Sequence, residues 1–181
     1  MGMQVSISEL QGVEYVPYKK IKDARGDFSK FYESGTLNDY GIEIKSVAIS
    51  ENDEQGTVRG LHFQSAPFEE SKIITCLSGR VFDVVVDLRP KSETHGKWAC
   101  VELSQQEPMC LILPPKFAHG YQTLETKSSL LYLLSEIYSP DHAHTLKVSD
   151  QILQIAWPLS IFNLSEKDSQ GSTFLEASQL V

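Results

Sequence analysis

Residues Lys72–Pro90 read KIITCLSGRVFDVVVDLRP, two short apolar runs separated by the turn Leu77–Arg80. Side chains of an extended chain alternate between two faces. In the second run Val81, Asp83, Val85 and Asp87 therefore share one face, and Phe82, Val84, Val86 and Leu88 the other. This period of two is the signature of a strand. Further short runs of the same kind follow: GKWACVELS (96–104), MCLILPP (109–115), GYQTLE (120–125) and SSLLYLLSEIY (128–138). The segments LRPKSETHG (88–96) and LPPKFAHG (113–120) supply turns. Many short strands at this spacing predict an all-β sandwich or barrel. Two weakly helical stretches, SGTLNDYG (34–41) and SIFNLSEKD (160–168), flank the strands. The expected fold is a β-barrel or jelly roll with small helical trimmings, and residues 1–181 read as one domain without repeats or linkers.

The totals narrow the function. The chain of 181 residues is 41% hydrophobic, enough for a full core. Its net charge of -8 argues against wholesale nucleic-acid binding, so an anionic ligand would need a local basic pocket. No apolar run approaches the roughly 20 residues of a membrane span. The N-terminus lacks the basic-then-apolar order of a signal peptide, so a cytoplasmic protein is expected. Cys76, Cys100 and Cys110 form no CxxC pair, and Cys76 and Cys100 lie in strand-like apolar runs. The cysteines read as small buried hydrophobes in a reducing compartment.

Several polar residues do not fit a plain barrel. In GTVRGLHFQ (56–64), Arg59 and His62 share one strand. Three positions apart, they fall on opposite faces of a flat strand and serve one cavity only if a bulge intervenes, which Gly60 permits. Lys72 follows two glutamates and, taken alone, reads as a solvated strand-start residue. His119 ends a Pro-rich turn, where it is either aimed into a site or caps a strand. Tyr132 and Tyr138, six residues apart, would face the same side of one strand. His95, His142 and His144 look like loop residues. Only one histidine occupies LHFQ, where a metal cupin carries a pair, so no metal is expected.

Six blocks occur in order: DARGDF (23–28), GTVRGLHFQ, KIITCLSGRVFDVVVDLRPKSETHGKW (72–98), LILPPKFAHGY (111–121), LLYLLSEIYSP (130–140) and, from residue 152, ILQIAWP with LSEKD. Together they resemble the dTDP-4-dehydrorhamnose 3,5-epimerases, RmlC-like cupins of nucleotide-sugar metabolism, over about residues 12–170. The resemblance implies a jelly-roll β-barrel and an isomerase that inverts C3, C5 or both of a nucleotide-diphosphate 4-keto-6-deoxyhexose, in dTDP-rhamnose and polysaccharide biosynthesis. It implies His62 as general base with Asp168 orienting it, Tyr132 as general acid on the opposite face, and Lys72 as the cation near the C4 keto oxygen. It implies Arg25 and Arg59 as phosphate ligands with His119 beside them, and Tyr138 as an aromatic wall. It also implies a homodimer in which the N-terminal segment carrying Arg25 and Phe28 reaches the partner's site. No cofactor is needed, since the ketone already acidifies its neighbouring carbons. A related mono-epimerase, a ketoisomerase or a catalytically silent nucleotide-sugar-binding protein are the alternatives.

The chain departs from the family where it carries Val47, Ile49 and Glu51 in place of a Gln-x-Asn-x-Ser pattern, and Lys30 in place of a glutamate. These changes predict a shifted sugar or nucleotide preference. A Glu51 near a diphosphate would repel it unless paired, with Lys30 or Lys45 as candidates.

Overall fold

The computed structural model describes residues 3–33 and 40–181. In chain order the strands are β1 (Glu14–Pro17), β2 (Lys20–Asp23), β3 (Gly26–Ser29), β4 (Ser46–Asn52), β5 (Thr57–Gln64), β6 (Lys72–Ser78) and β7 (Arg80–Asp87). They continue with β8 (Trp98–Ser104), β9 (Met109–Leu113), β10 (Phe117–Thr123), β11 (Ser128–Leu134), β12 (Ala143–Thr145) and β13 (Asn163–Leu164). Two one-turn helices, α1 (Glu166–Ser169) and α2 (Phe174–Ala177), follow. One sheet has the order β1-β9-β6-β11-β4; the other runs β12-β5-β10-β7-β8, with β13 added parallel to β5. The all-β expectation holds, with the two sheets facing each other rather than closing into a barrel.

The alternation in β7 sets up two separate cores. Val81 and Val85 point between the sheets and pack with Ile74, Leu111, Leu113, Leu130 and Tyr121. Val84, Val86 and Leu88 point outward, into a second cluster with Leu61, Phe63, Leu146, Leu153, Phe174 and Ala177. The C-terminal segments thus cover the outer face of the second sheet. Each such aliphatic side chain, fully buried, is worth about 1.5–3 kcal/mol. Asp87, on the inward face, accepts hydrogen bonds from Arg89, Ser92 and Thr94. Burial works to raise its carboxyl pKa, but these donors outweigh burial and hold it below the usual range.

Some local expectations need correction. The stretch SIFNLSEKD is only partly helical: Asn163–Leu164 pair with Thr57 and Val58, and helix begins at Glu166. Extended backbone there gives Leu164 a strand partner that a free helix would lack. The turn in LPPKFAHG stops at Lys116, so His119 lies in the middle of β10, every residue of which is buried. Strand β11 ends at Leu134, which leaves Tyr138 in the following loop, 65% exposed. The predicted helix at 34–41 lies almost wholly outside the described residues.

The β5–β10 ladder carries the bulge that the sequence permitted. His119 lies opposite His62 and Tyr121 opposite Arg59, so two steps on β10 span three on β5. Arg59 and His62 thereby reach the same inward face. Gly60, between them, has φ +127°, and a Cβ built on it would lie 2.6 Å from the Gly120 Cα and 2.9 Å from the His119 carbonyl oxygen. Both neighbours are backbone and cannot swing aside. Gly60→Ala is therefore expected to destabilise the fold by at least about 2 kcal/mol, combining positive-φ strain with overpacking. Chemical denaturation checks this; a wild-type midpoint would show that the bulge accepts a side chain.

Candidate active site

One end of the space between the sheets is polar. A cavity of about 340 Å³ opens there, lined by Arg59, His62, Lys72, His119, Tyr121 and Tyr132 among others. The sheets supply opposite walls. Arg59 and His62 come from β5 and His119 and Tyr121 from β10; Lys72 on β6 and Tyr132 on β11 belong to the other sheet.

His62 and Asp168 lie 106 positions apart in sequence, yet His62 Nε2 is 2.7 Å from Asp168 Oδ1. The β13–β5 pairing brings the C-terminal segment alongside, and α1 then aims the carboxylate. Ser165 caps this helix by accepting from the Asp168 N–H at 3.0 Å, while the Gly60 N–H donates to Asp168 Oδ2 at 3.2 Å. Burial tends to raise the Asp168 carboxyl pKa, but its bond to His62, then the Gly60 N–H and the Ser165 hydroxyl, lower it overall. An ionised Asp168 only accepts, so Nε2 carries the ring proton of a neutral His62. Nδ1 is left as its basic atom.

On the facing wall, burial above all, then Tyr121 and Asp83, raise the Tyr132 hydroxyl well above its ordinary pKa, so it is a proton donor at neutral pH. Its ring meets His119 edge-on at 6.1 Å between centroids. His119 Nε2 lies 2.9 Å from both carboxylate oxygens of Asp83, and both residues are buried. Burial pushes the Asp83 carboxyl up, with His119 acting against it. Lys72 is not the solvated strand-start residue that its neighbours allowed: it is 7% exposed, donates to the His62 carbonyl at 3.0 Å and pairs with Glu70 at 3.2 Å. The Arg59 Nε donates to Asn52 Oδ1 at 2.8 Å, and Nη2 to the Glu51 carbonyl at 3.2 Å.

The structure thus brings together His62, Asp168, Tyr132, Lys72, Arg59 and His119, and Tyr138 lines the same cavity from its loop. It does not bring Arg25, Phe28 or Glu51 to this cavity. Arg25 and Phe28 belong to the β2–β3 hairpin, in which every strand residue is exposed, and Arg25 pairs with Asp23. In β4 the alternation turns Ser46, Ala48 and Ser50 inward and Val47, Ile49 and Glu51 outward. The inward set pairs with Leu134, Tyr132 and Leu130 of β11. The outward side chains lie away from this cavity, which therefore lends no support to a changed ligand preference. Lys30 pairs with Glu33 and Lys45 with Glu136, neither with Glu51.

Several residues went unread in the sequence: Glu70, Ser50 and Tyr121, which line the cavity, and Asp83 and Asn52, which hold His119, Arg59 and Tyr121 from behind it. Asp83 alone carried a signal, a carboxylate in an otherwise apolar strand. His144, expected in a loop, lies in β12, donates to or accepts from Ser65 at 2.9 Å, and lines the cavity. Among the described residues no group of three or more His, Cys, Asp or Glu side chains converges as a metal site.

Comparison with known proteins agrees with this geometry. Residues 7–176 match the family model described as dTDP-4-dehydrorhamnose 3,5-epimerase. A protein of that description from Sinorhizobium fredii is 38% identical over 177 residues, covering 95% of this chain and 88% of its own. The solved structure of the Bacillus anthracis enzyme, with TDP and pyrophosphate bound, superposes with a TM-score of 0.86 at 34% identity, covering 90% of this chain and 94% of that one. A 3'-monoepimerase from Streptomyces bikiniensis, in complex with dTDP-quinovose, gives a TM-score of 0.87 at 27% identity, covering 99% and 90%. The chain belongs to the dTDP-4-dehydrorhamnose 3,5-epimerase family of jelly-roll isomerases acting on sugar nucleotides.

Proposed function

We propose that this protein inverts C3 and C5 of a dTDP-linked 4-keto-6-deoxyhexose by proton transfer between His62 and Tyr132 across the sugar ring. The observation that carries the reading is their position on opposite sheets, a base on one wall of the cavity and a proton donor on the other. A C–H beside a ketone loses its proton with negative charge building on the carbonyl oxygen. His62 Nδ1 takes that proton, and Asp168 fixes the tautomer and stabilises the imidazolium. The Lys72 ammonium, held in place by Glu70 and the His62 carbonyl, faces the developing oxyanion. Tyr132 then delivers a proton to the other face of the carbon, which inverts it. The chemistry needs no cofactor. Arg59, with His119 nearby, fits the diphosphate, since a planar guanidinium suits phosphate oxygens. Tyr138 fits an aromatic wall. The free cysteines are compatible with a cytoplasmic setting.

Dimerisation belongs to the same proposal. The β2–β3 hairpin is exposed throughout, with Phe28 at 64%, and the outer face of β4 exposes Val47 and Ile49. An exchanged hairpin would bury such side chains and deliver Arg25 and Phe28 to a neighbouring copy's cavity. Light scattering is expected to report a dimer, and a fully active monomer would remove both residues from the site.

Incubation with dTDP-4-keto-6-deoxyglucose in deuterated water tests the chemistry. Wild-type protein is expected to incorporate deuterium at both C3 and C5. Exchange at one carbon would make it a mono-epimerase, and exchange at neither a silent binding protein. His62→Ala should fold normally and lose about 10²–10⁴ in turnover, as for other positioned acid–base groups; near-normal turnover would discard the base assignment. Tyr132→Phe should still wash deuterium into the sugar, because His62 can return a proton to its own face, while net inversion largely stops. Full inversion by that variant would move the acid elsewhere.

A further inference from the structure

Tyr138 lines the cavity from a loop, and it is 65% exposed. Little packing therefore holds its ring, and an aromatic wall that wanders cannot orient a sugar. Its position has to be set through the backbone. The loop is stitched down at both ends. The Ser71 N–H donates to Ser135 Oγ at 2.7 Å, and the Ser135 N–H to the Ser71 carbonyl at 3.1 Å. Glu136 pairs with Lys45. Farther on, the Ser65 N–H donates to the His142 carbonyl at 2.9 Å, and His142 Nδ1 lies 2.9 Å from Ser139 Oγ.

Between these ties, residues 137–139 are held by Gln64. Gln64 Nε2 donates to the Ile137 carbonyl at 3.2 Å, and Gln64 Oε1 accepts from the Ser139 N–H at 2.7 Å. Those two groups belong to the peptide units on either side of the Tyr138 Cα. Peptide units are planar, so gripping both leaves the backbone at Tyr138 little rotation. Only the side-chain torsions stay free. The second proton of Nε2 goes to the Phe68 carbonyl at 3.0 Å, which ties in the segment after β5. A primary amide suits this task, since one planar group both donates and accepts. Gln64 is 4% exposed and lies two positions after His62, on the same face of β5 and against the same cavity. An amide is costly to bury there unless its groups are matched, and the loop backbone matches them.

We infer that Gln64 is a positioning residue whose amide clamps the two peptide units flanking Tyr138, fixing the aromatic wall of the sugar pocket relative to the base two residues earlier on the same strand. The inference rests on the reading of Tyr138 as that wall. Gln64 acts through Tyr138, and so on the sugar half of the ligand and not on its nucleotide half.

Q64M keeps the length of the side chain and removes both halves of the clamp. Ile137 is 54% exposed, so its freed carbonyl turns to water and the loop loosens without unfolding the sheet. Q64E still accepts from Ser139 but has no proton for the two carbonyls, and it carries the same test if Q64M does not fold. Turnover of dTDP-4-keto-6-deoxyglucose and binding of dTDP alone are measured for wild type, Q64M, Y138A and the double variant. For Q64M, kcat/KM is expected to fall by about 10–100-fold, toward the value for Y138A, as for a displaced positioning group. Binding of dTDP should stay at the wild-type level. The double variant should be no worse than Y138A, because the clamp then has nothing to place. Wild-type kcat/KM in Q64M beside an impaired Y138A overturns the clamp alone. So does weakened dTDP binding, or losses that multiply in the double variant, since Gln64 would then act on the ligand or the fold directly. A Y138A enzyme with wild-type turnover overturns the wall and the clamp together. A wild-type protein that fails to turn the sugar over overturns the proposed function, and the clamp with it.

Discussion

The close approach of two backbones at Gly60 and Gly120 governs the functional half of the molecule. A Cβ at Gly60 would meet the Gly120 Cα at 2.6 Å, and one at Gly120 would meet the Arg59 carbonyl oxygen at the same distance. Only a pair of glycines lets β5 bulge against β10 without parting the ladder. The extra residue in the bulge breaks the two-residue alternation. Arg59 and His62, an odd number of positions apart, consequently share a wall of the cavity. The same bulge frees the Gly60 N–H to hold Asp168, which holds His62. The base, its orienting carboxylate and the arginine all depend on one local distortion.

Charge pairing keeps this polar end compatible with a folded interior. A buried ion without a partner is far more costly than any single contact can offset. Lys72 has Glu70, His119 has Asp83, and His62 has Asp168. Arg59 is satisfied by an amide and a backbone carbonyl rather than by a carboxylate. It therefore keeps its full positive charge for an anionic ligand, in a protein whose net charge is -8. Lys72 and Glu70 are neighbours in sequence, whereas His119–Asp83 and His62–Asp168 join segments 36 and 106 positions apart, so those two pairs form only when the strands have assembled.

How legible all this was depends on the range of the interaction. The strands of the central region could be read because alternation is a local property of β7 and its neighbours. His62, Lys72, Tyr132 and Asp168 could be assigned through the family resemblance, and the structure gathers them around one cavity. Residue chemistry alone left each of them ambiguous. Tyr121, Asn52 and Ser50 escaped because a tyrosine in an apolar strand and a serine on an edge strand are individually ordinary; their hydroxyls meet only across the two sheets. Glu51 is the opposite case. Its neighbourhood in sequence suggested the site, but the pleat of β4 turns its side chain away.

The sequence by itself determined the class of fold, the balance of charge and, through its motifs, the chemistry at hand. These follow from side-chain periodicity and residue type, which need no partner in space. Tertiary structure alone decided which wall each group stands on and which residue holds which. Asp168 reaches His62 across 106 positions because β13 adds to β5, and Tyr132 faces His62 because their strands lie in different sheets. Distances of that kind arise from long-range strand pairing, on which the local pattern of side chains is silent.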